Sequence, residues 1–167
     1  MTRRLIASGL FVFAASALVL SSAPTWAADS RFSQSITDLP LSSLRQDQYS
    51  DAIDAYAAKG QYQKALDVAD LGLRKNPKSA QLKFQRCVVL EKMGETAQAK
   101  AELERFIRLY PEIPEGYNNL AALLSREGEL DAAETYLKRA LAFRPKFRQA
   151  HVNLGNLYLA RAKAAYE

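Results

Sequence analysis

Glycines stand at positions 60, 94 and 128, prolines at 77, 111 and 145, and alanines at 65, 99 and 133. All three series step by 34 residues with no insertion. A period of this length marks a chain built from one supersecondary unit laid down repeatedly. No other feature of the sequence restricts the fold as much.

One unit can be read from its residues. Ahead of each glycine, apolar side chains recur at helical spacing, as in Tyr117, Leu120, Ala121 and Leu124. The glycine tolerates positive φ and so ends that helix without a steric penalty. Gln61, Glu95 and Glu129 follow, opening a second helix where its dipole favours negative charge or an amide. That helix carries a stripe of its own, for example Ala133, Leu137, Ala140 and Leu141. The proline stops it, because its ring is incompatible with a continuing helix. The recurrent alanine is small enough to let the two helices approach closely. A single hairpin cannot bury both stripes, so copies must stack on one another.

In period and in these residues the chain resembles the tetratricopeptide repeat family. The resemblance implies an all-α solenoid with a right-handed superhelix, spanning residues 41–167. Three full repeats run over 46–79, 80–113 and 114–147, and a partial one covers 148–167. Lys83 and Arg86 interrupt the apolar stripe of the second unit, and Gly72 and Phe106 depart from the small alanine at Ala140. The fourth unit supplies one helix, with Gly155 in the close-packing column and Tyr158 aligned with Tyr56. That helix is expected to cap the last apolar face; alternatively, it continues into a longer protein.

The N-terminal segment orders its residues differently. Arg3 and Arg4 precede an apolar run from Leu5 to Leu20, followed by small residues up to Ala27 and Ala28. This is the order of a secretory signal peptide over 1–27. The expected location is therefore the periplasm or outside the cell, or the inner membrane facing the periplasm if the segment is not cleaved. Residues 28–40 read as a disordered arm, with a helix starting near Leu41.

Chemistry is sparse. Cys87 is the only cysteine and His151 the only histidine, which leaves no donor set for a metal and no nucleophile with a base beside it. Neither catalysis nor a cofactor is expected. Cys87 lies on an apolar stripe and reads as a small core residue. His151 shares the column of Tyr49, Lys83 and Tyr117 and reads as a partly buried packing residue. The formal charge of +5 falls to +3 without Arg3 and Arg4, and the positives are dispersed. Arg74, Lys75, Arg105, Arg108, Lys138 and Arg139 fall near the ends of second helices, where cations complement the dipole. A nucleic-acid partner is not expected.

The resemblance also implies a binding face, since the family takes a peptide or a partner helix in its concave groove. Carried onto this chain, the groove includes Asp47, Asp51 and Asp54, then Phe84, Gln85 and Val88, then Asn118, Asn119 and Arg126, and last Asn153 and Asn156. The amides suit a peptide main chain, because each both donates and accepts. Phe84 and Val88 offer an apolar anchor. The expected function is a periplasmic, non-catalytic adaptor that holds another protein. The alternatives are a docking module of a longer exported enzyme and a self-assembling protein that stacks through its end helix.

Overall fold

In the computed structural model, which describes residues 36–166, Gly60, Gly94 and Gly128 adopt φ of 70°, 81° and 83°. Each ends a helix in the same way. The Gln61 N–H reaches back to Tyr56 O at 2.9 Å while Gly60 N–H meets Ala57 O at 3.0 Å. Glu95 bonds to Leu90 and Glu129 to Leu124 in the same pattern. This double bond satisfies carbonyls that the helix end leaves open, and it needs a left-handed residue at the glycine.

Seven α-helices follow one another among the described residues: α1 (Tyr49–Ala58), α2 (Tyr62–Lys75), α3 (Ala80–Lys92), α4 (Thr96–Leu109), α5 (Pro114–Arg126), α6 (Leu130–Phe143) and α7 (Arg148–Tyr166). The second helices α2, α4 and α6 each end one residue before an extended position, Asn76, Tyr110 or Arg144, with φ between −134° and −136°. A proline follows each of these, and its ring favours that extended conformation in the residue ahead of it. The Ser79 hydroxyl caps α3 by accepting from Leu82 N–H at 3.3 Å, and Pro114 opens α5 at a position where its missing N–H costs nothing.

Each helix packs on the next, and the first helices also meet at two of the joints, α1 with α3 and α5 with α7. Ala65, Ala99 and Ala133 are fully buried in the hairpin seams. Leu103, Leu120, Leu123 and Leu137 are 0–1% exposed and fill the layer between hairpins. Each such side chain contributes roughly 1.5–3 kcal/mol through burial.

The joints between units do not repeat their side chains. At the first joint Gly72 faces Leu82, whose Cδ1 lies 2.8 Å from where a glycine Cβ would stand. At the second, 34 residues on, Phe106 faces Gly116. At the third, Ala140 and Ala150 occupy the same two columns, both fully buried. Large and small trade places between the first two joints, and two small residues meet at the third. This explains both departures from the small column, and it explains Lys83 as well. Tyr49 lies against Gly72; in the next unit Phe106 fills that space, and Lys83 turns outward over the Tyr110 ring.

The structure corrects three expectations. Part of the 28–40 arm is ordered: Ile36 is 2% exposed, and Thr37 O accepts from the Tyr56 hydroxyl at 3.0 Å. The remainder of the arm and the 1–27 leader lie outside the described residues. The helix that starts at Leu41 is a three-residue 3-10 one, and the α-helix of the first repeat begins only at Tyr49. Two 3-10 turns, Leu41–Ser43 and Gln46–Gln48, are separated by extended backbone at Leu44 and Arg45, because Leu44 turns inward to cover the first hairpin. His151 is exposed, and its Nε2 meets Pro145 O at 2.8 Å. Among the described residues no second helix packs over it as α2 does over Tyr49 and α6 over Tyr117.

Candidate functional site

The first helices place the candidate binding residues. Position by position along the 34-residue frame, Gln85, Asn119 and Asn153 form one column, and Ser50, Phe84 and Asn118 the column before it. The two columns meet across the joints between units. Gln85 Nε2 donates to Ser50 O at 3.0 Å and to Asp54 Oδ1 at 2.8 Å. Two joints later Asn153 Nδ2 donates to Asn118 Oδ1 at 2.9 Å, while Asn118 Nδ2 donates to Asn119 Oδ1 at 3.1 Å. Gln149 donates to Asn153 Oδ1. Gln85 and Asn118 are accordingly buried, at 6% and 4% exposure. Amides read from sequence as free for a ligand are in part the stitching between units. The signal that distinguishes them is position: one column faces the neighbouring first helix and the next faces outward.

Three clefts line this face. The middle one, of about 280 Å³, is formed by Ile53, Asp54, Ala57, Gln81, Phe84, Gln85, Val88 and Val89. An adjoining cleft of about 340 Å³ extends it past Val88 to Ala57, Tyr62 and Lys92. A third, of about 220 Å³, is bounded by Ala122, Ser125, Arg126, Asn153 and Asn156. Asp54, Phe84, Gln85 and Val88 thus share one cleft, and Arg126, Asn153 and Asn156 another. Asp51 is exposed on α1. Asp47 stands apart, in a fourth cleft with Gln46, Ser50 and Gln81, and its carboxylate is held by Arg45 at 3.1 Å. Arg126 donates to Glu91 at 2.8 Å, which ties the second cleft to the end of α3.

One side-chain atom of a residue beside the middle cleft is unsatisfied among the described residues. Gln85 Nε2 faces two acceptors, which fixes the orientation of the amide, since the opposite one would set oxygen against oxygen. Its Oε1 is buried and accepts no hydrogen bond from the chain. A buried acceptor left in this state costs about 1–3 kcal/mol.

The largest cleft, about 520 Å³, lies elsewhere, between α2, α3 and α4 around Asp70, Lys83, Arg86, Glu102 and Phe106. Its two carboxylates are both engaged by one guanidinium: Arg86 bridges Asp70 at 2.8 Å and Glu102 at 3.2 Å. It is a joint between helices bridged by ion pairs, and the break in the second unit's apolar stripe marked it in the sequence. Cys87 is a core residue, 1% exposed, and burial pushes its thiol up to about 12.

With this geometry established, comparison with known proteins is direct. A model of the tetratricopeptide repeat family matches residues 102–135, one full period running from α4 through α5 into α6. The fold aligns with the first such domain of human RPAP3 at a TM-score of 0.66 and 19% identity, covering 73% of this chain and 96% of that one. A thermophilic tetratricopeptide-repeat protein of Thermus thermophilus aligns at a TM-score of 0.65 and 27% identity, covering 78% and 71%. The Yersinia enterocolitica type III secretion chaperone SycD, solved with a peptide of the translocator YopD, aligns at 0.61 and 18%, covering 69% and 93%. The fold is an all-α repeat solenoid. Residues 102–135 match the tetratricopeptide repeat family, and the fold is similar to that of the repeat domains named above.

Proposed function

We propose that this chain is a non-catalytic scaffold that holds a peptide or helix of another protein across the first-helix face. The observation that carries this reading is the cleft around Val88. Phe84, Ile53, Ala57 and Val88 give it an apolar lining, and Asp54 and Gln85 supply its polar groups. A bound peptide would place an apolar side chain against Val88. The fitting sequence carries a basic residue towards Asp51 and Asp54. RPAP3 and SycD, solved with peptides bound, show what this fold does in other proteins and support the reading by analogy.

The test is selection of displayed peptides on the wild-type chain, followed by titration of the winners against Val88→Asp. Affinity is expected to fall tenfold or more, since the variant puts a charge in an apolar cleft. Winners that bind both forms equally would move the site off this face. The proposed compartment is the bacterial periplasm, a reading supported by the residue order of the first 27 positions. Fusing residues 1–35 to a reporter active only after export checks it.

A further inference from the structure

Where α5 meets its own second helix α6, aromatic rings close the space. Tyr117, 2% exposed, stacks on Tyr136 with centroids 6.3 Å apart and on Phe143 at 5.7 Å. The Arg139 guanidinium lies over the Tyr117 ring at 5.2 Å. One period earlier the columns of Tyr117, Tyr136, Phe143 and Arg139 hold Lys83, Glu102, Leu109 and Arg105. All four line the cleft of about 520 Å³ between α2, α3 and α4. The column of Leu120, fully buried in the third unit, holds Arg86 in the second. Phe106 puts one ring back, since its column holds Ala140 in the next unit. No ring stands in the columns of Tyr136 and Phe143, and the ion pairs of Arg86 leave the volume beside them open.

We infer that this cleft takes an aromatic side chain of a partner protein, with an acidic residue beside it in that partner's sequence. The third unit shows what these columns hold when they close: rings, with a guanidinium over one of them. Leu73, Pro77, Phe106 and Leu109 give the cleft apolar walls, and Leu109 is 52% exposed until something covers it. Arg105 makes no hydrogen bond, ion pair or ring contact among the described residues. A ring beneath it would gain the cation–π contact that Tyr117 has from Arg139.

Charge selects the neighbour of that ring. Three cations and two carboxylates line the cleft, and Arg86 engages both carboxylates. Lys83 lies over the Tyr110 ring, and neither it nor Arg105 has a carboxylate partner among the described residues. An acidic group on the incoming segment would meet these two cations, whereas a basic one would be repelled. The inference does not rest on the groove reading. Successive helical residues turn by about 100°, so Lys83 and Arg86 stand on the side of α3 opposite Phe84 and Val88.

The probe is the peptide acetyl-Asp-Trp-Glu-amide, titrated into the full chain labelled with nitrogen-15. The amide signals of Leu73, Lys83, Arg105 and Leu109 should shift together, with a dissociation constant of about 0.1–1 mM, while those of Ala57 and Val88 stay in place. Replacing the peptide's tryptophan by leucine, or its two acids by lysine, should weaken binding at least tenfold. Arg105→Glu should do the same without lowering the melting temperature, because this side chain has no partner to lose. Leu109→Trp, which fills the cleft from the chain itself, should abolish the shifts and leave the fold intact. Shifts confined to Ala57 and Val88 would assign the peptide to the first-helix groove and overturn the proposal. So would the absence of shifts at about 10 mM peptide, or binding indifferent to Arg105→Glu. Tighter binding of free phenylacetate than of the peptide would overturn it in favour of a small aromatic acid.

Discussion

Phe106 and Gly116 share one space: a Cβ on the glycine would stand 2.8 Å from Phe106 Cδ1 and 2.9 Å from Ile107 Cγ2. Neither residue is small or large on its own account. The pair is one of three solutions to a single packing problem, beside Gly72 with Leu82 and Ala140 with Ala150. Gly116→Ala should therefore destabilise the chain by about 1–3 kcal/mol through overpacking. Adding Phe106→Ala rebuilds the Ala–Ala joint of the third unit. The double variant should lose less than the sum of the singles, with a coupling of about 1 kcal/mol or more in urea unfolding. Additive losses would mean that the two residues do not share a space.

The turn glycines make a different prediction, because nothing lies within 4 Å of a Cβ at Gly60, Gly94 or Gly128. The cost of alanine there is backbone strain alone. Gly60→Ala, Gly94→Ala and Gly128→Ala should each lose about 1–2 kcal/mol, with asparagine milder at every site. Costs that differ widely among the three would imply that side-chain crowding also contributes.

Cys87 should be inert in the native chain. Burial raises its thiol to about 12, so the reactive thiolate is scarce at any pH the fold survives. A thiol reagent at pH 8 is expected to label it only after denaturation. Labelling at the same rate with and without denaturant would contradict its placement in the core.

The anchor of α7 predicts a pH response. The Glu134 carboxylate accepts from Lys138, Tyr158 and Arg161, which hold it down to about 2 from an ordinary 4.5. A lowered value in the folded state stabilises above the unfolded value and is lost on acidification. Wild type should thus melt higher than Glu134→Gln at pH 6, and the gap should close between pH 4.5 and 2. A gap that stays constant across that window would show that the three donors do not act through the charge.

How far the sequence displays this structure depends on the range of the interaction. Turn glycines, pre-proline stops and the stripe Tyr117, Leu120, Ala121 and Leu124 are local, and each can be read from a few neighbouring residues. The size exchange at Phe106 and Gly116 is not local, because it joins columns that belong to different helices. The burial of Gln85 and Asn118 is hidden for a related reason. Their columns look polar and exposed on one helix, and only the adjacent first helix, 35 residues away at Ser50 and Asn153, covers them. His151 misled because two members of its column, Tyr49 and Tyr117, are buried under their own second helices, and among the described residues no such helix packs over His151. Ile36 and Leu44 were obscured by polar surroundings that mask two inward-facing residues.

The segment carrying Ile36 and Leu44 gives the molecule a direction. A repeat array open at both ends can gain units at either one. Here a new hairpin placed ahead of α1 would have to displace Ile36 and Leu44 from the face they occupy, whereas one placed after α7 would meet a surface already patterned for it. Duplication during evolution, and lengthening by design, should therefore proceed from the C-terminal side, with the N-terminal turn retained as the fixed origin of the array.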